Sequence, residues 1–316
     1  MKKKLSLLIL CCLSFSALAS GHHVVSDVIR AEENLSFDHR LIKYNLVVDK
    51  KYPFRFNIRT DFLYIDMNDL IYKRDFDLNE VYRIPSFKSS IERKISSYES
   101  SNDVKINFSI SHASGFRFDT VAASQRIADK AAKDMREFVE EETSRIAKDN
   151  FHHIAIGSDH FFDYPFASKS QSSLGEEIYR KTRPIVSQIP NPLNRVQFYL
   201  DLVQNIPYDN EKLGGHYFRT PLAVIMDNKG DCDEKSLLLL TILKEAFPDK
   251  KVALLALKNI PHAIALIESL RPMDQSFRYK GVNYLPLETT ASVPYGKIDE
   301  DVKNEIKKGQ FFLFQI

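Results

Sequence analysis

Residues Gly230-Asp231-Cys232-Asp233-Glu234-Lys235-Ser236 stand at the head of a long apolar run. The residues from 237 to 247 leave little polar face and end before Pro248, which predicts a buried helix over 232–247. Carboxylates at a helix start cap its amides and complement its dipole. Cys232 is therefore expected in the first turn of a core helix.

Further elements are predicted on both sides of this helix. Downstream, strands are predicted over 252–257, 262–267, 282–287 and 311–316, the last of them after a charged helix over 299–308. Upstream, helices are predicted over 174–189 and 194–206, with Asn194 as the cap of the second. If the strands pair in antiparallel order, a cysteine at a helix start can meet residues at strand ends.

The N-terminal half has a different pattern. Alternation of apolar and polar residues at 54–58 and 104–110 predicts half-buried strands, with a short helix over 90–101 between them. Residues 122–148 are rich in helix formers and contain no Gly or Pro, which predicts a long amphipathic helix. A polar stretch at 168–173 suggests a soft boundary. We therefore predict a β-rich α+β domain over 20–170 and a second domain over 171–316.

The first residues have the pattern of an export signal. Lys2, Lys3 and Lys4 precede an apolar stretch that ends in Ala17-Leu18-Ala19, which predicts a signal peptide over 1–19 and a periplasmic or secreted protein. Removing 19 of the 316 residues leaves 297, with 41 Lys and Arg against 42 Asp and Glu. This balance argues against nucleic acid or an anionic membrane as a partner. No later apolar stretch is long enough for a transmembrane segment.

Cysteine usage singles out one residue. Cys11 and Cys12 leave with the predicted signal peptide, so Cys232 is the one cysteine of the mature chain. A single thiol in an oxidising compartment cannot form a disulfide within its own chain. Cys232 is therefore inert, intermolecular or reactive.

Cys232, His262 and Glu288 form the candidate catalytic trio. A helix N-terminus and a neighbouring imidazolium both favour the thiolate, and a carboxylate can fix the imidazole ring and its tautomer. Singly, the three residues have plain structural explanations: a buried small hydrophobe, a packed strand residue and a surface charge. Their order at a helix start, a strand start and a strand end favours nucleophilic catalysis.

Together these motifs resemble the transglutaminase-like superfamily of cysteine hydrolases, including bacterial exported transglutaminase-like cysteine proteinases. The likeness covers most of 171–316, at residues 203–208, 219–221, 230–234, 261–263 and 287–290. The resemblance implies a papain-like core in which the nucleophile helix packs on an antiparallel sheet. It also implies acyl transfer through a thioester, resolved by water or by an amine.

Two positions of the expected site stay open. The third member is often Asp in this family, so Asp274 and Glu268 are alternatives to Glu288 as the partner of His262. An oxyanion hole needs a donor beside the backbone N–H of Cys232, for which Tyr208 is the candidate. His216 and Tyr217 are alternatives to Tyr208, and packing is an equally good explanation of all three aromatic residues.

No cofactor is predicted, and calcium binding is a secondary hypothesis. Asp231, Asp233 and Glu234 resemble an acidic cluster that similar exported proteinases use to hold calcium. A Ca²⁺ site needs six or more oxygens, so helix capping is the favoured interpretation.

Two histidine-containing segments are weaker metal candidates. One consists of His152, His153, Asp159, His160 and Asp163, whose spacing matches no tetrahedral pattern and favours a polar interdomain loop. The other is Ser20-Gly21-His22, which would chelate Cu(II) or Ni(II) only adventitiously.

Three functions are compatible with these residues. The favoured one is an exported cysteine peptidase that acts on protein or peptide substrates. The second is transfer of the acyl group to a lysine amine, which the absence of Trp disfavours because crosslinking enzymes line their acceptor tunnel with it. The third is a non-catalytic envelope protein that binds a partner through its N-terminal domain, for which the sequence holds no specific motif.

Overall fold

The computed structural model describes residues 23–34, 40–48, 52–59, 71–73, 81–111, 115–156, 159–209, 217–269 and 275–316. The predicted signal peptide and the Ser20-Gly21-His22 segment lie outside these residues. The described chain combines helices with antiparallel sheets, which confirms the α+β class.

Helices and strands alternate irregularly along the described residues. The helices α1 to α8 are Pro85–Ser101, Gln125–Phe151, Tyr164–Ser170, Ser172–Val186, Pro192–Gln204, Pro221–Asp227, Cys232–Ala246 and Glu300–Lys307. The strands β1 to β8 are Val25–Asn34, Arg40–Val48, Tyr52–Arg59, Ile71–Lys73, Val104–Ser111, Gly115–Ala122, His153–Ile156 and Asp159–Phe162. The strands β9 to β14 are Tyr217–Arg219, Val252–Leu257, Ala263–Glu268, Phe277–Tyr279, Val282–Leu287 and Phe311–Gln315.

The described residues fall into two compact units. One unit takes its residues from the ranges 1–72, 167–212 and 219–316, and the other from 73–166 and 213–218. The candidate catalytic residues all belong to the first unit. This division differs from the predicted one, because β1, β2 and β3 join the first unit instead of an N-terminal domain over 20–170.

A five-stranded antiparallel sheet forms the centre of the first unit. Its strand order is β12-β13-β11-β10-β14, and α7 packs against β10 and β11. The four leucines from 237 to 240 are fully buried, so the predicted core helix is confirmed. Each such side chain contributes about 1.5–3 kcal/mol through burial.

The predicted cap of α5 is wrong by three residues. The helix begins at Pro192, and the side chain of Asn191 accepts a 3.0 Å hydrogen bond from the backbone N–H of Leu193. Proline suits the first position of a helix because its missing N–H would have no partner inside the helix. The helix therefore starts directly after Asn191, and Asn194 lies within its first turn.

The buried carboxylate of Asp201 explains why the N-terminal strands belong to the first unit. Asp201 lies on α5 and is 1 % exposed. Its Oδ2 atom accepts hydrogen bonds from the backbone N–H groups of Val24 at 2.6 Å and Val25 at 2.8 Å. Its Oδ1 atom lies 2.6 Å from Nδ1 of His23 and accepts a bond from Gln197. These bonds therefore hold the residues at the start of β1 against α5.

The second unit contains the predicted long helix and a β-hairpin. Helix α2 starts after Ser124, whose side chain caps it, and strands β5 and β6 pair in antiparallel register. Phe87, Ile91 and Val139 are fully buried in its core. The predicted soft boundary at 168–173 lies close to the division between the units after residue 166, and its residues form parts of α3 and α4 and the turn between them.

Among the helices of the described ranges, none combines the length and the apolar character needed to cross a membrane.

Replacement of Asp201 by alanine should destabilise the first unit. The change leaves the buried N–H groups of Val24 and Val25 without an acceptor, so we expect a loss of about 3 kcal/mol in the free energy of unfolding. Urea denaturation measures this loss, and Asp249→Ala at an exposed position is the matched control. Equal stability of the two variants would contradict the anchoring role.

Candidate active site

Helix α7 begins with a complete capping box. Oδ1 of Asp231 accepts a 3.3 Å bond from the backbone N–H of Glu234, and Oε2 of Glu234 accepts a 3.1 Å bond from the N–H of Asp231. Cys232 is the first residue of the helix, half-buried and not part of a disulfide. Its position at the positive end of the helix dipole favours the thiolate.

The turn before the helix is fixed by the segment around Tyr208. The backbone N–H of Gly230 donates to Pro207, and the carbonyl of Gly230 accepts a 3.1 Å bond from Asp209. A Cβ atom at Gly230 would lie 3.2 Å from Cγ of Lys235, so a larger residue fits there only if that side chain shifts by a few tenths of an ångström. The structure thus brings Tyr208, which is 45 % exposed, beside the segment that leads into Cys232.

His262 and Glu288 form the central pair of the site. His262 lies directly before β11 and Glu288 directly after β13, and these strands pair in antiparallel register with Ala265 opposite Leu287. The start of one strand therefore adjoins the end of the other. Nε2 of His262 lies 2.8 Å from Oε2 of Glu288. Nε2–H is the donor to the ionised carboxylate, which leaves Nδ1 as the second ring nitrogen.

Glu288 is held in its ionised form by local hydrogen bonds. Its Oε1 atom accepts bonds from Thr290, at 2.9 Å from the backbone N–H and 2.6 Å from the hydroxyl. Burial opposes ionisation of this carboxyl, but the bonds from His262 and Thr290 outweigh burial and lower its pKa below the ordinary value.

Among the described alternatives, Glu288 is the carboxylate that meets His262. Glu268 lies at the opposite end of β11, where its side chain accepts a 3.2 Å bond from the backbone N–H of Lys251. Asp274 and His216 lie outside the described residues, and so does the side chain of Tyr217.

Side-chain contacts join both α7 and α5 to the loop that carries Glu288. Ser236, one turn after Cys232, lies with its hydroxyl 3.1 Å from that of Thr289, and both residues are fully buried. Gln204 at the end of α5 donates to the carbonyls of Glu288 at 2.7 Å and Val293 at 2.8 Å. The segments that carry Cys232, His262 and Glu288 are therefore held at one end of the five-stranded sheet.

A buried lysine stands directly behind this site. Lys235 is 1 % exposed, and its ammonium group donates to the carbonyls of Ile206 at 2.6 Å and Gln204 at 3.4 Å. Burial lowers its pKa to about 8, against the opposing effect of the negative charge of Glu288. The sequence alone did not predict that Lys235 and Gln204 contribute to this site. The available signal was the position of a lysine at the edge of an apolar run.

The acidic residues at the helix start have partners within the protein. Arg219 lies 2.6 Å from Asp209, 3.1 Å from Asp227 and 3.5 Å from Glu234, and its backbone N–H donates to Glu234 at 2.8 Å. Burial and then the charge of Asp233 raise the pKa of Glu234. The carboxylate of Glu234 thus pairs with Arg219 and takes part in the capping box.

The calcium hypothesis gains no support from these contacts. The ligand atoms of Asp231, Cys232 and Asp233 lie within 4.8 Å of one another. The carboxylates of Asp231 and Asp233 both accept from the backbone N–H of Glu234, as expected for helix capping. An acidic cluster with these roles does not point to a metal, and calcium stays an untested prediction.

A cavity of about 520 Å³ opens beside the central pair. Its lining includes His262 and Glu288 from the site, together with apolar groups and a charged rim. The remaining lining residues are Ile260, Thr290, Ala291, Val293, Lys297, Ile298, Asp299, Glu300, Asp301 and Val302. The cavity can admit part of a substrate to the imidazole.

The histidines proposed as weak metal ligands lie in the second unit. The ring of His152 stacks on Phe166 with 4.3 Å between centroids, and His153 is buried. Asp163 accepts a 3.0 Å bond from the backbone N–H of Phe166. The side chains of Asp159 and His160 lie outside the described part of the chain. Stacking and capping account for the described members.

No protein-family model matches the chain, and no match was found among curated proteins or solved structures. The resemblance to the transglutaminase-like superfamily therefore stays a prediction that rests on the sequence motifs.

The lowered pKa of Glu288 predicts a pH-dependent contribution to stability. A carboxyl with a lowered pKa in the folded state stabilises it above the unfolded pKa, and the contribution is lost as the pH falls through the folded pKa. We expect wild type to exceed Glu288→Gln by about 2 kcal/mol at neutral pH, with the difference shrinking below about pH 4.3.

Urea denaturation of both proteins across this pH range measures the difference, with Glu268→Gln on β11 as the matched control. A difference between wild type and Glu288→Gln that does not change with pH would contradict the lowered pKa.

Proposed function

We propose that this protein is an exported cysteine peptidase that cleaves amide bonds in protein or peptide substrates through Cys232, His262 and Glu288. The observation that carries the proposal is the 2.8 Å contact between His262 and Glu288, at the end of the sheet against which α7 packs. A carboxylate that orients an imidazole, at the end of a sheet that also packs against the helix of the thiol, is consistent with an activated nucleophile.

Each residue has a role in the proposed reaction, and the contact between His262 and Glu288 supports this assignment. Glu288 holds Nε2–H of His262, which leaves Nδ1 to exchange a proton with the thiol of Cys232. The helix N-terminus and the resulting imidazolium both stabilise the thiolate. Ionised Glu288 stabilises the imidazolium in turn.

The proposed reaction has two steps. In the first, the Cys232 sulfur bonds to the substrate carbonyl carbon, the carbon–nitrogen bond breaks, and His262 gives its proton to the leaving amine. In the second, His262 takes a proton from water, the oxygen bonds to the thioester carbon, and the carbon–sulfur bond breaks. The products are an amine, a carboxylic acid and the regenerated thiol.

Tyr208 is the proposed side-chain donor to the oxyanion, beside the backbone N–H of Cys232. Its backbone bridges Gly230, two residues before the nucleophile, and its partly exposed side chain can reach a substrate. A donor in such a position stabilises the negative oxygen of the tetrahedral intermediate.

The packing of α7 on the antiparallel sheet supports a papain-like core of the transglutaminase-like type as part of this proposal. Export rests on the sequence of residues 1–19, and the periplasm or the medium is the proposed location.

Iodoacetamide should modify the native protein once, at Cys232, and faster than the denatured protein. Activation by the helix start and the imidazole is lost on unfolding, so the ratio of rates reports it. Intact-protein mass spectrometry measures the rates. We expect His262→Ala to slow the reaction toward the denatured rate, because only the helix start then favours the thiolate, and His152→Ala, the matched control, to leave it unchanged. Slower labelling of native wild type than of the denatured chain would contradict the proposal.

Cys232→Ala should remove the peptidase activity without changing the fold. In cells that express either protein, new substrate termini should appear with wild type and be missing with Cys232→Ala, as measured by mass spectrometry of protein termini. Identical sets of termini would refute peptidase activity. Incorporation of a fluorescent amine into protein by wild type alone would instead indicate acyl transfer.

A further inference from the structure

Lys235 is a buried charge that the proposed reaction leaves without a role. It follows Cys232 by three residues on α7 and is 1 % exposed. A buried ammonium group is costly unless it has hydrogen-bond acceptors and a counter-charge. The carbonyls of Ile206 and Gln204 supply two acceptors, and the nearby carboxylate of Glu288 supplies the negative charge.

Three groups on different segments act on the carboxylate of Glu288. His262 and Thr290 hydrogen-bond the carboxylate of Glu288, whereas Lys235 on α7 interacts with it through charge and is linked to it through Gln204. His262 changes charge during the proposed reaction, whereas Thr290 is neutral. Lys235 is therefore the cation that stays beside Glu288 when the imidazole gives up its proton. The outer charged groups, Lys297 and the acidic residues at 299–301, line the open cavity.

We propose that Lys235 is a positioning residue that keeps Glu288 ionised and fixed in place while His262 exchanges protons with Cys232 and the substrate. Lys235 acts through Glu288 and has no contact with the substrate in this role. The inference rests on the proposed function, because it assigns Lys235 to the support of the same catalytic pair.

Hydrogen bonds to the backbone also link Lys235 to the loop that carries Glu288. Its ammonium group holds the carbonyl of Gln204, and the side chain of Gln204 holds the carbonyl of Glu288. The aliphatic part of Lys235 adjoins Gly230 in the turn before Cys232, where a Cβ atom would lie 3.2 Å from Cγ. The side chain of Lys235 thus adjoins the turn that leads into the nucleophile and is linked through Gln204 to the loop that carries Glu288.

A double-mutant cycle tests the proposal. It compares wild type, Lys235→Met, Glu288→Gln and the double variant, because methionine has nearly the length of lysine but no charge. Peptide hydrolysis and the rate of iodoacetamide labelling at Cys232 are measured against pH, and urea denaturation gives the stability of each protein.

We expect Lys235→Met to lower both rates about tenfold in wild type but less than about twofold in Glu288→Gln, since directly linked groups have non-additive effects. We also expect the acid limb of the pH profile to move to higher pH in Lys235→Met, because Glu288 then takes up a proton more easily. Lys244→Met, which removes an exposed lysine of the same helix, should change neither rate.

The outcomes separate this inference from the proposed function. Additive effects on the rates, with a reactive Cys232, would overturn the positioning role and leave the peptidase proposal standing. A wild-type Cys232 that reacts no faster than the denatured chain would overturn both. If Lys235→Met does not fold, Lys235→Gln replaces it in the cycle, because its amide retains a donor for the carbonyls without the charge.

Discussion

Helix α7 is buried along most of its length, including its charged first turn, and this burial determines which residues must surround it. The helix is apolar enough to lie inside the protein, yet its first turn carries Asp233, Glu234 and Lys235, each less than a tenth exposed. Charges cannot be buried without compensation, so partners from distant parts of the chain must surround the helix start. The candidate active site is built from those partners.

The two signs of charge are compensated separately around the start of α7. Glu234 pairs with Arg219 of β9, which also binds Asp209 and Asp227. Lys235 instead meets backbone carbonyls at the end of α5 and the charge of Glu288. Cys232 precedes both residues on the same turn. Its surroundings are therefore fixed by contacts that also satisfy the buried charges.

The sequence was sufficient to predict the elements whose signal is local. Helix α7 and strands β10 and β13 follow from apolar runs bounded by turn residues, and the antiparallel order brings His262 and Glu288 together as the order of the motifs suggested. The predicted cap of α5 was wrong because the proline occupies the first helical position. The helix therefore starts before Asn194, which lies inside it.

The contacts that were missed connect residues far apart in the sequence. Asp201 fixes the backbone at Val24 and Val25, and Gln204 holds the loop of Glu288. Nothing in the local pattern around an aspartate or glutamine on an amphipathic helix indicates such a partner. The membership of β1 to β3 in the first unit depends on contacts of this kind.

The buried charges at the start of α7 fit a role in the proposed reaction better than a role in stabilising the fold. Replacement of buried ionic groups by apolar residues of similar volume is often neutral or stabilising by about 1–4 kcal/mol, so a fold does not need them merely to be stable. Lys235 lies where an apolar side chain would continue the core of α7. The positive charge of Lys235 there favours the ionised form of Glu288, and the carboxylate in turn holds the ring of His262 through the 2.8 Å contact. The buried charges thus fit the nucleophilic role proposed for Cys232 better than they fit a purely structural role.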